Sequence, residues 1–294
     1  MLDLATVVFN QELDYLKIQA RSIELYVDPG FINNIWIIVN DDTPCNIDTS
    51  WYGINSSKVK IINYQELGAD LSFDNLHDAG WRTQQLWKLL ISNKISSEWY
   101  AVLDAKTWFV TNISQDTIFS NNQVRSGNGI IYHWFNNCIE EIKKIYGVEL
   151  TSMLGPIGVP FVFHTKTTQD MIKETADIVG RPFAEYFLAH SGHPCFLTEF
   201  ILYSGYVIKK YGSWDPLYLH AGIGNLNGFN ICDFEVEPDL LSQKFGYLTT
   251  TNPKTVSIHK RAWPLLDSTY QQRWLAFLRD KHLIDHSVTD FTPR

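Results

Sequence analysis

An apolar run, Trp99-Tyr100-Ala101-Val102-Leu103, ends in Asp104, and Lys106 follows before Thr107-Trp108-Phe109-Val110 resumes the apolar pattern. On an extended backbone, residues two apart point to the same side. A carboxylate and an amine therefore stand together at the end of a strand whose other residues read as buried, and such a pair can hold a phosphate-bearing ligand. A lysine at a strand end can equally be a solvated side chain. Other polar residues fall at the ends of expected strands: Asn10, Asn40, Asp41, His164, Glu199 and His259. Where negative charge develops on a leaving diphosphate it must be neutralised by a metal or by fixed cations, and the cations on offer are Lys106, Lys260 and Arg261.

The elements that would position these groups are legible from periodicity. Thr6 to Phe9 read as a strand, and Leu13, Leu16, Ala20, Ile23 and Val27 keep three- and four-residue steps that predict a helix, stopped by Asp28-Pro29-Gly30. Ile35 to Val39 and Val59 to Ile62 predict further strands, and Gly80 to Asn93 a helix that delivers the chain into the strand ending at Asp104. Buried strands alternating with helices imply a parallel sheet covered on both faces, whose ligands gather outside the carboxyl ends of the strands. Thr111 to Asn128, rich in Asn, Ser and Gln, read as loop. A helix follows near Ile139 to Tyr146, a turn-rich Gly155 to Pro160, a strand at Phe161 to His164, and helical spacing from Thr168 to Val179. Thr198 reads as the N-cap of a helix burying Phe200, Ile201 and Tyr203. Val256 to His259 form a short strand, a helix runs from about Ser268 to Arg279, and the chain beyond about Leu283 has no clear pattern.

Composition bounds the function classes. The chain has 294 residues, with 45% apolar and 19% charged, as expected of a globular α/β protein. One domain over residues 1–294, with a C-terminal elaboration from about residue 240, is the expected organisation. The formal charge of −8 argues against a nucleic-acid partner. Cys45, Cys138, Cys195 and Cys232 lie far apart, which suggests neither a zinc site nor a disulfide framework. The N-terminal residues lack the basic start of a signal peptide, and no apolar run approaches the ~20 residues of a membrane span. A cytoplasmic location without a transmembrane segment is expected. The 14% aromatic content suits sugar stacking and large cores alike.

Several segments in order carry a resemblance: Gly80-Trp81-Arg82-Thr83-Gln84-Gln85, Lys88-Leu89, Trp99 to Val110, Pro160 to His164, Thr198 to Tyr203, and Ser257-Ile258-His259-Lys260-Arg261-Ala262. Together they resemble a bacterial and phage family of glycosyltransferase-like proteins of unknown function. The resemblance implies a GT-A, nucleotide-diphospho-sugar transferase fold: α/β, with a mixed, mainly parallel central sheet flanked by helices on both faces. It puts Asp104-Ala105-Lys106 in the place of the Asp-x-Asp motif that binds donor ribose and a divalent metal in most such enzymes. Lys106 departs from that motif, because a protonated ammonium cannot ligate a cation. Manganese or magnesium is thereby disfavoured as cofactor. Either Lys106 pairs with the donor diphosphate itself, or transfer has been lost and only binding remains. The resemblance also places Glu199 where inverting enzymes carry an acidic residue, the general base that deprotonates the acceptor, although acidic residues also favour helix starts for stability alone. It places His259 where a histidine returns to the donor diphosphate.

Lys260 and Arg261 point to opposite sides if their strand persists, so at most one of them faces the ligand. Arg82, Gln85 and Lys88 share a helix at three-residue spacing and read as donor or acceptor contacts or as a solvated face. His164 reads as a donor contact or a hydrogen-bonded structural residue, and Asn10 and Asn40 as donor contacts. His190, Ser191 and His193 read as loop, with no third ligand to make a metal site. The expected function is transfer of a sugar from a nucleotide-sugar donor to a glycan or other hydroxyl acceptor, in polysaccharide biosynthesis. The alternative is a non-catalytic nucleotide- or sugar-binding module on the same fold.

Overall fold

The computed structural model describes residues 1–43, 45–68, 77–155, 158–220, 226 and 228–288. The strands are β1 (Leu2–Val8), β2 (Ile32–Val39), β3 (Val59–Asn63), β4 (Trp99–Asp104), β5 (Thr107–Phe109), β6 (Phe119–Ser120), β7 (Gln123–Gly129), β8 (Met153–Gly155), β9 (Phe161–His164), β10 (Tyr218–His220), β11 (Gly228–Ile231) and β12 (Thr255–Ile258). The helices are α1 (Leu13–Tyr26), α2 (Ala79–Leu90), α3 (Gln115–Ile118), α4 (Asn136–Tyr146), α5 (Thr165–Val179), α6 (Phe183–His190), α7 (Glu199–Tyr211), α8 (Pro238–Thr251) and α9 (Ser268–Asp280).

The main sheet has the order β3-β2-β1-β4-β9, with β1 to β4 parallel and β9 antiparallel to β4. The alternation of strands and helices predicts a parallel sheet, and the mixed, mainly parallel sheet is the one the resemblance implies, with β9 as its antiparallel strand. Every residue of β1 is buried, which requires cover on both faces at the sheet's centre. Helix α1 reaches β1 through a buried hydrogen bond from Thr6 Oγ1 to Gln19 Oε1 (2.8 Å), and α2 also packs on β1.

The order matters for function. From β1 the chain moves to β2 and β3 on one side, then crosses back to β4 on the other, so β1 and β4 diverge at a topological switch point. Loops leaving the carboxyl ends of two such strands open a crevice. The register Val7↔Asp104 puts Asp104 at its floor, level with the end of β1.

A second sheet, β11-β12-β5, supplies the far wall. Strand β12 runs antiparallel to β5 with Ser257 opposite Thr107, and this carries the residues after Ile258 back toward Lys106.

Two expectations need correction. Thr111 to Asn128 are not loop: they hold α3, β6 and β7, and β7 pairs with β6, β8 and β10. Its Gln, Arg, Ser and Asn side chains conceal a strand fixed by tertiary pairing, where propensity is easily overridden. His190 is not in a loop either, since it ends α6. Helix α8, with Pro238 in its first turn, carries a start signal that sequence reading can use. Pro156 and Ile157 of the turn-rich segment lie outside the described residues.

Candidate functional site

The turn between β4 and β5 is two residues long, Ala105-Lys106, and is held from below by α1. Gln19 Nε2 donates to the carbonyl oxygens of Asp104 (2.7 Å) and Thr107 (3.1 Å). A buried amide with all its bonds made is rigid, so Asp104 and Lys106 are presented in one geometry. Their side chains do face one another: Lys106 Nζ lies 3.2 Å from Asp104 Oδ2.

The other carboxylate oxygen is also taken. Lys88, from α2, places Nζ 2.7 Å from Asp104 Oδ1 and 3.4 Å from Glu199 Oε1, with 4% of its side chain exposed. Two ammonium groups and two carboxylates thus alternate along Lys106, Asp104, Lys88 and Glu199, and the set is neutral. Burial alone would raise the pKa of Asp104, but Lys106 and Lys88 outweigh it and hold the carboxyl well below the usual range. At Glu199 burial wins over Lys88 and the pKa is raised. Lys88 itself is raised, since its two carboxylate partners outweigh the burial that would lower it.

Beside this floor stand groups that are less buried, Glu12 among them with one oxygen on the Phe9 N–H at 3.3 Å. Glu12, in the turn after β1, is half-buried. Burial raises its pKa, opposed by Lys106 and supported by Asp104. His259 follows β12, and burial together with nearby Lys106 pulls its imidazole below the ordinary value. Its Nδ1 accepts the backbone N–H of Arg261 at 3.3 Å, so the neutral ring carries its proton on Nε2. Lys260 is exposed and close enough to influence Glu12. The crevice therefore offers Lys106, Lys260 and the His259 N–H as donors, and the Glu12 carboxylate as acceptor.

Not every expected residue converges here. His164 lies at the wrong end of the sheet: it pairs with Trp99, five residues or about 16 Å back along β4 from Asp104. Its ring caps α5, accepting from Thr167 N at 3.3 Å. Arg82 is also turned away. It donates through Nε to Ser191 Oγ (3.0 Å) and through its terminal nitrogens to the carbonyls of His77 and Leu188, tying α2 to the end of α6. Asn40 accepts from Trp87 Nε1 and donates to Thr83 Oγ1, both at 2.9 Å, so it fastens the end of β2 to α2. Asn10 stands at the crevice edge, with its N–H on Asp41 (2.5 Å) and its amide on Thr43 Oγ1 (2.8 Å).

Gln85 and Lys88 are not on a solvated face. Both are buried, and among the described residues Gln85 Oε1 has no hydrogen-bond partner. Glu199 leaves 3% of its side chain exposed, so an acceptor hydroxyl cannot reach it as a general base must be reached. Its place is at the start of α7, beside the Thr198 cap that accepts from Ile201 N. The strand before His259 ends at Ile258, and His259 to Ala262 form a turn closed by Ala262 N on His259 O (2.8 Å). The opposite-sides rule for Lys260 and Arg261 therefore does not apply.

Sequence reasoning missed Glu12 and Gln19. Glu12 carried a usable signal, a carboxylate just past the first strand of a parallel sheet. Gln19 carried none, since a polar residue inside an apolar helix face shows only that something binds it. A groove of about 760 Å³ lined by Asn33, Glu98, Trp99, Phe119 and Arg125 opens at the amino end of β4, remote from this crevice. Among the described residues, no three His, Cys, Asp or Glu side chains are grouped to hold a metal ion, and no helix is long and apolar enough to cross a membrane.

Among solved structures, the chain is similar to the apo form of a WbbM bifunctional glycosyltransferase, at 11% identity over 87% of this chain and 45% of that one (TM-score 0.45). It thus spans under half the length of that protein. It is also similar to the galactosyltransferase LgtC in complex with donor and acceptor sugar analogs, at 12% identity over 95% of this chain and 99% of that one (TM-score 0.46). An active-site mutant of LgtC matches over the same shares at 12% identity (TM-score 0.49). No curated protein matches the chain. The model of the Family of unknown function (DUF6492) matches residues 4–231, a stretch that holds Glu12, Lys88, Asp104, Lys106 and Glu199 but stops short of His259, and the chain belongs to that family.

Proposed function

We propose that the protein is a glycosyltransferase that moves a sugar from a nucleotide-sugar donor to a hydroxyl acceptor without a divalent metal. The observation that carries this reading is the pair of ammonium groups clamping Asp104 at the carboxyl end of β4, 2.7 and 3.2 Å from its two oxygens. An Asp at this point of the fold would ordinarily contribute to a divalent cation site. Here a doubly charged ion would have to sit beside two fixed positive charges, and both Asp104 oxygens are already paired with ammonium groups. The residues do not fit a metal. They fit a diphosphate: Lys106 and Lys260 supply charge, and His259 supplies a neutral N–H, where charge on the leaving group develops.

In this reading Asp104 positions Lys106, and Lys88 keeps Asp104 ionised under burial. Glu199 balances Lys88 and is a positioning residue. Glu12, half-buried at the crevice with one oxygen accepting the Phe9 N–H, is the carboxylate placed to take the acceptor proton. The setting proposed with it is the cytoplasm and polysaccharide biosynthesis, as the sequence reading expects.

The test is a thermal-shift panel of nucleoside diphosphates and sugar nucleotides, with manganese and with chelator, followed by a nucleotide-release assay. A matching nucleotide raises Tm equally in both. Lys106→Ala loses charge-assisted contacts of about 1.5–3 kcal/mol, weakening nucleotide binding about 10- to 100-fold, while its own Tm barely moves. Glu12→Gln slows turnover more than Glu199→Gln does at equal nucleotide affinity. A Tm shift that appears only with manganese refutes the lysine mechanism. Nucleotide binding without donor cleavage or transfer points instead to a binding module, which the burial of Glu199 would suit.

A further inference from the structure

Within residues 130–135, Ile131 and Phe135 pack against the core, while their apolar and aromatic neighbours Ile130, Tyr132 and Trp134 face outward. Ile130 is 73% exposed, Tyr132 45% and Trp134 50%. The rings of Tyr132 and Trp134 are stacked, with centroids 4.5 Å apart and planes 6° from parallel. They form a stacked aromatic plate, each ring covering one face of the other, with about half of each side chain exposed. Contiguous exposed apolar surface of this kind marks a binding site more often than chance.

The plate is coupled to the crevice through short steps. Trp134 stands about one helical turn before Cys138 of α4. Cys138 is buried, and α4 packs against α7, whose cap is Thr198. Glu199, the first residue of α7, then meets Lys88 beneath Asp104. A second tie comes from Asn137, whose amide donates to Pro194 O at 2.9 Å, on the loop leading into α7. The plate is thus held on the same frame as the charged floor, at the α7 side of it.

We propose that the Tyr132–Trp134 plate is the subsite for a pyranoside acceptor, with the C–H face of the sugar lying on the rings. This rests on the transfer reading given above. An aromatic face gives a sugar a flat apolar platform, and polar groups beside it fix orientation. His133, Asn136 and Asn137 are exposed alongside and can donate to ring hydroxyls. The alternatives fit less well. Two rings and one isoleucine are far smaller than the ~800 Å² per partner of a stable protein interface. An anionic membrane is disfavoured by the net charge of −8 and by the absence of a basic cluster in residues 126–139.

The experiment uses the full chain and a panel of methyl glycopyranosides (gluco, galacto, manno and N-acetylgluco), observed by saturation-transfer difference NMR. Binding is measured with and without the nucleotide that gives the largest thermal shift. At least one pyranoside receives saturation on its ring C–H groups. Trp134→Ala weakens it about tenfold, the factor expected from ~1.4 kcal/mol of lost ring contact, whereas Trp134→Phe keeps most of it. The nucleotide-induced rise in Tm persists in Trp134→Ala, because the plate lies outside the phosphate crevice. No pyranoside contact in the wild-type protein overturns the proposal, as does contact that survives both Trp134→Ala and Tyr132→Ala. Pelleting with phosphatidylcholine–phosphatidylglycerol vesicles that depends on Trp134 also overturns it, in favour of a membrane surface. If no nucleotide binds while Trp134-dependent sugar binding remains, the sugar site stands and the transfer reading falls.

Discussion

Replacing Lys88 by Met tests the charged floor directly. Met keeps the unbranched reach of the lysine stem and removes only the ammonium, so packing along α2 changes little. What remains is Asp104 with Lys106 alone, and Glu199 with no cation, its side chain 3% exposed. Removing one partner of a buried pair costs about 3–5 kcal/mol, because the survivor is left uncompensated. At about 2–3 °C per kcal/mol for a chain of this size, Tm falls by roughly 6–15 °C. The pH dependence identifies the cause. Burial already raises the pKa of Glu199 with Lys88 present, and losing Lys88 raises it further. The unfolded carboxyl titrates near 4.3, so below that pH both states are protonated and the variant is least penalised. As pH rises from there through the raised folded value, the unfolded state ionises first and stability is lost. The Tm deficit of Lys88→Met is therefore larger at pH 8 than at pH 5. Adding Glu199→Gln removes the stranded carboxyl and recovers much of the loss at pH 8. Thermal denaturation of the two single variants and the double variant across that range completes the cycle. A deficit under about 2 °C, or one that neither changes with pH nor responds to Glu199→Gln, would refute the argument.

Two further outcomes follow from other parts of the fold. His259 has a lowered pKa in the folded chain, so between about pH 6.5 and that lower value the unfolded chain takes up a proton that the folded one does not. Stability is lost as pH falls through that window, and His259→Gln flattens the Tm profile there; an unchanged slope would count against burial of this ring. Gly205 lies in α7 where a Cβ would stand 2.6 Å from Ile142 Cγ2 of α4. Overpacking of about 1–3 kcal/mol outweighs the ~1 kcal/mol that alanine gains in a helix. Gly205→Ala lowers Tm by a few degrees, and Ile142→Leu, which removes the branch, restores it; a stabilised Gly205→Ala would show that the helices give way.

How far the sequence discloses this site depends on what kind of physics holds each residue. Asp104 is legible because the run of apolar residues before it fixes the strand. Lys106 does meet it, but from the two-residue turn after β4, where the alternation rule does not apply. Thr198 is legible because capping is local chemistry: the hydroxyl accepts from Ile201, three residues on. Lys88 shows the opposite case. Its helix is read correctly, and helical spacing puts it on one face with Gln85, yet periodicity treats a lysine as evidence for solvent. The ammonium is instead buried because Asp104 and Glu199, 16 and 111 residues away, arrive at the same point and outweigh its desolvation. His164 errs in the other direction. Being at the end of a buried strand reads as being at the ligand end only if that strand is parallel to its neighbours. β9 is the one strand of the main sheet that runs backward, so its carboxyl end lies beside Trp99, at the start of β4. The direction of a single strand moves this histidine about 16 Å. A carboxyl-end rule for ligand sites can therefore be applied from sequence to β1 and β4, whose direction the helical crossovers dictate. It cannot be carried to β9, where no local pattern records the reversal.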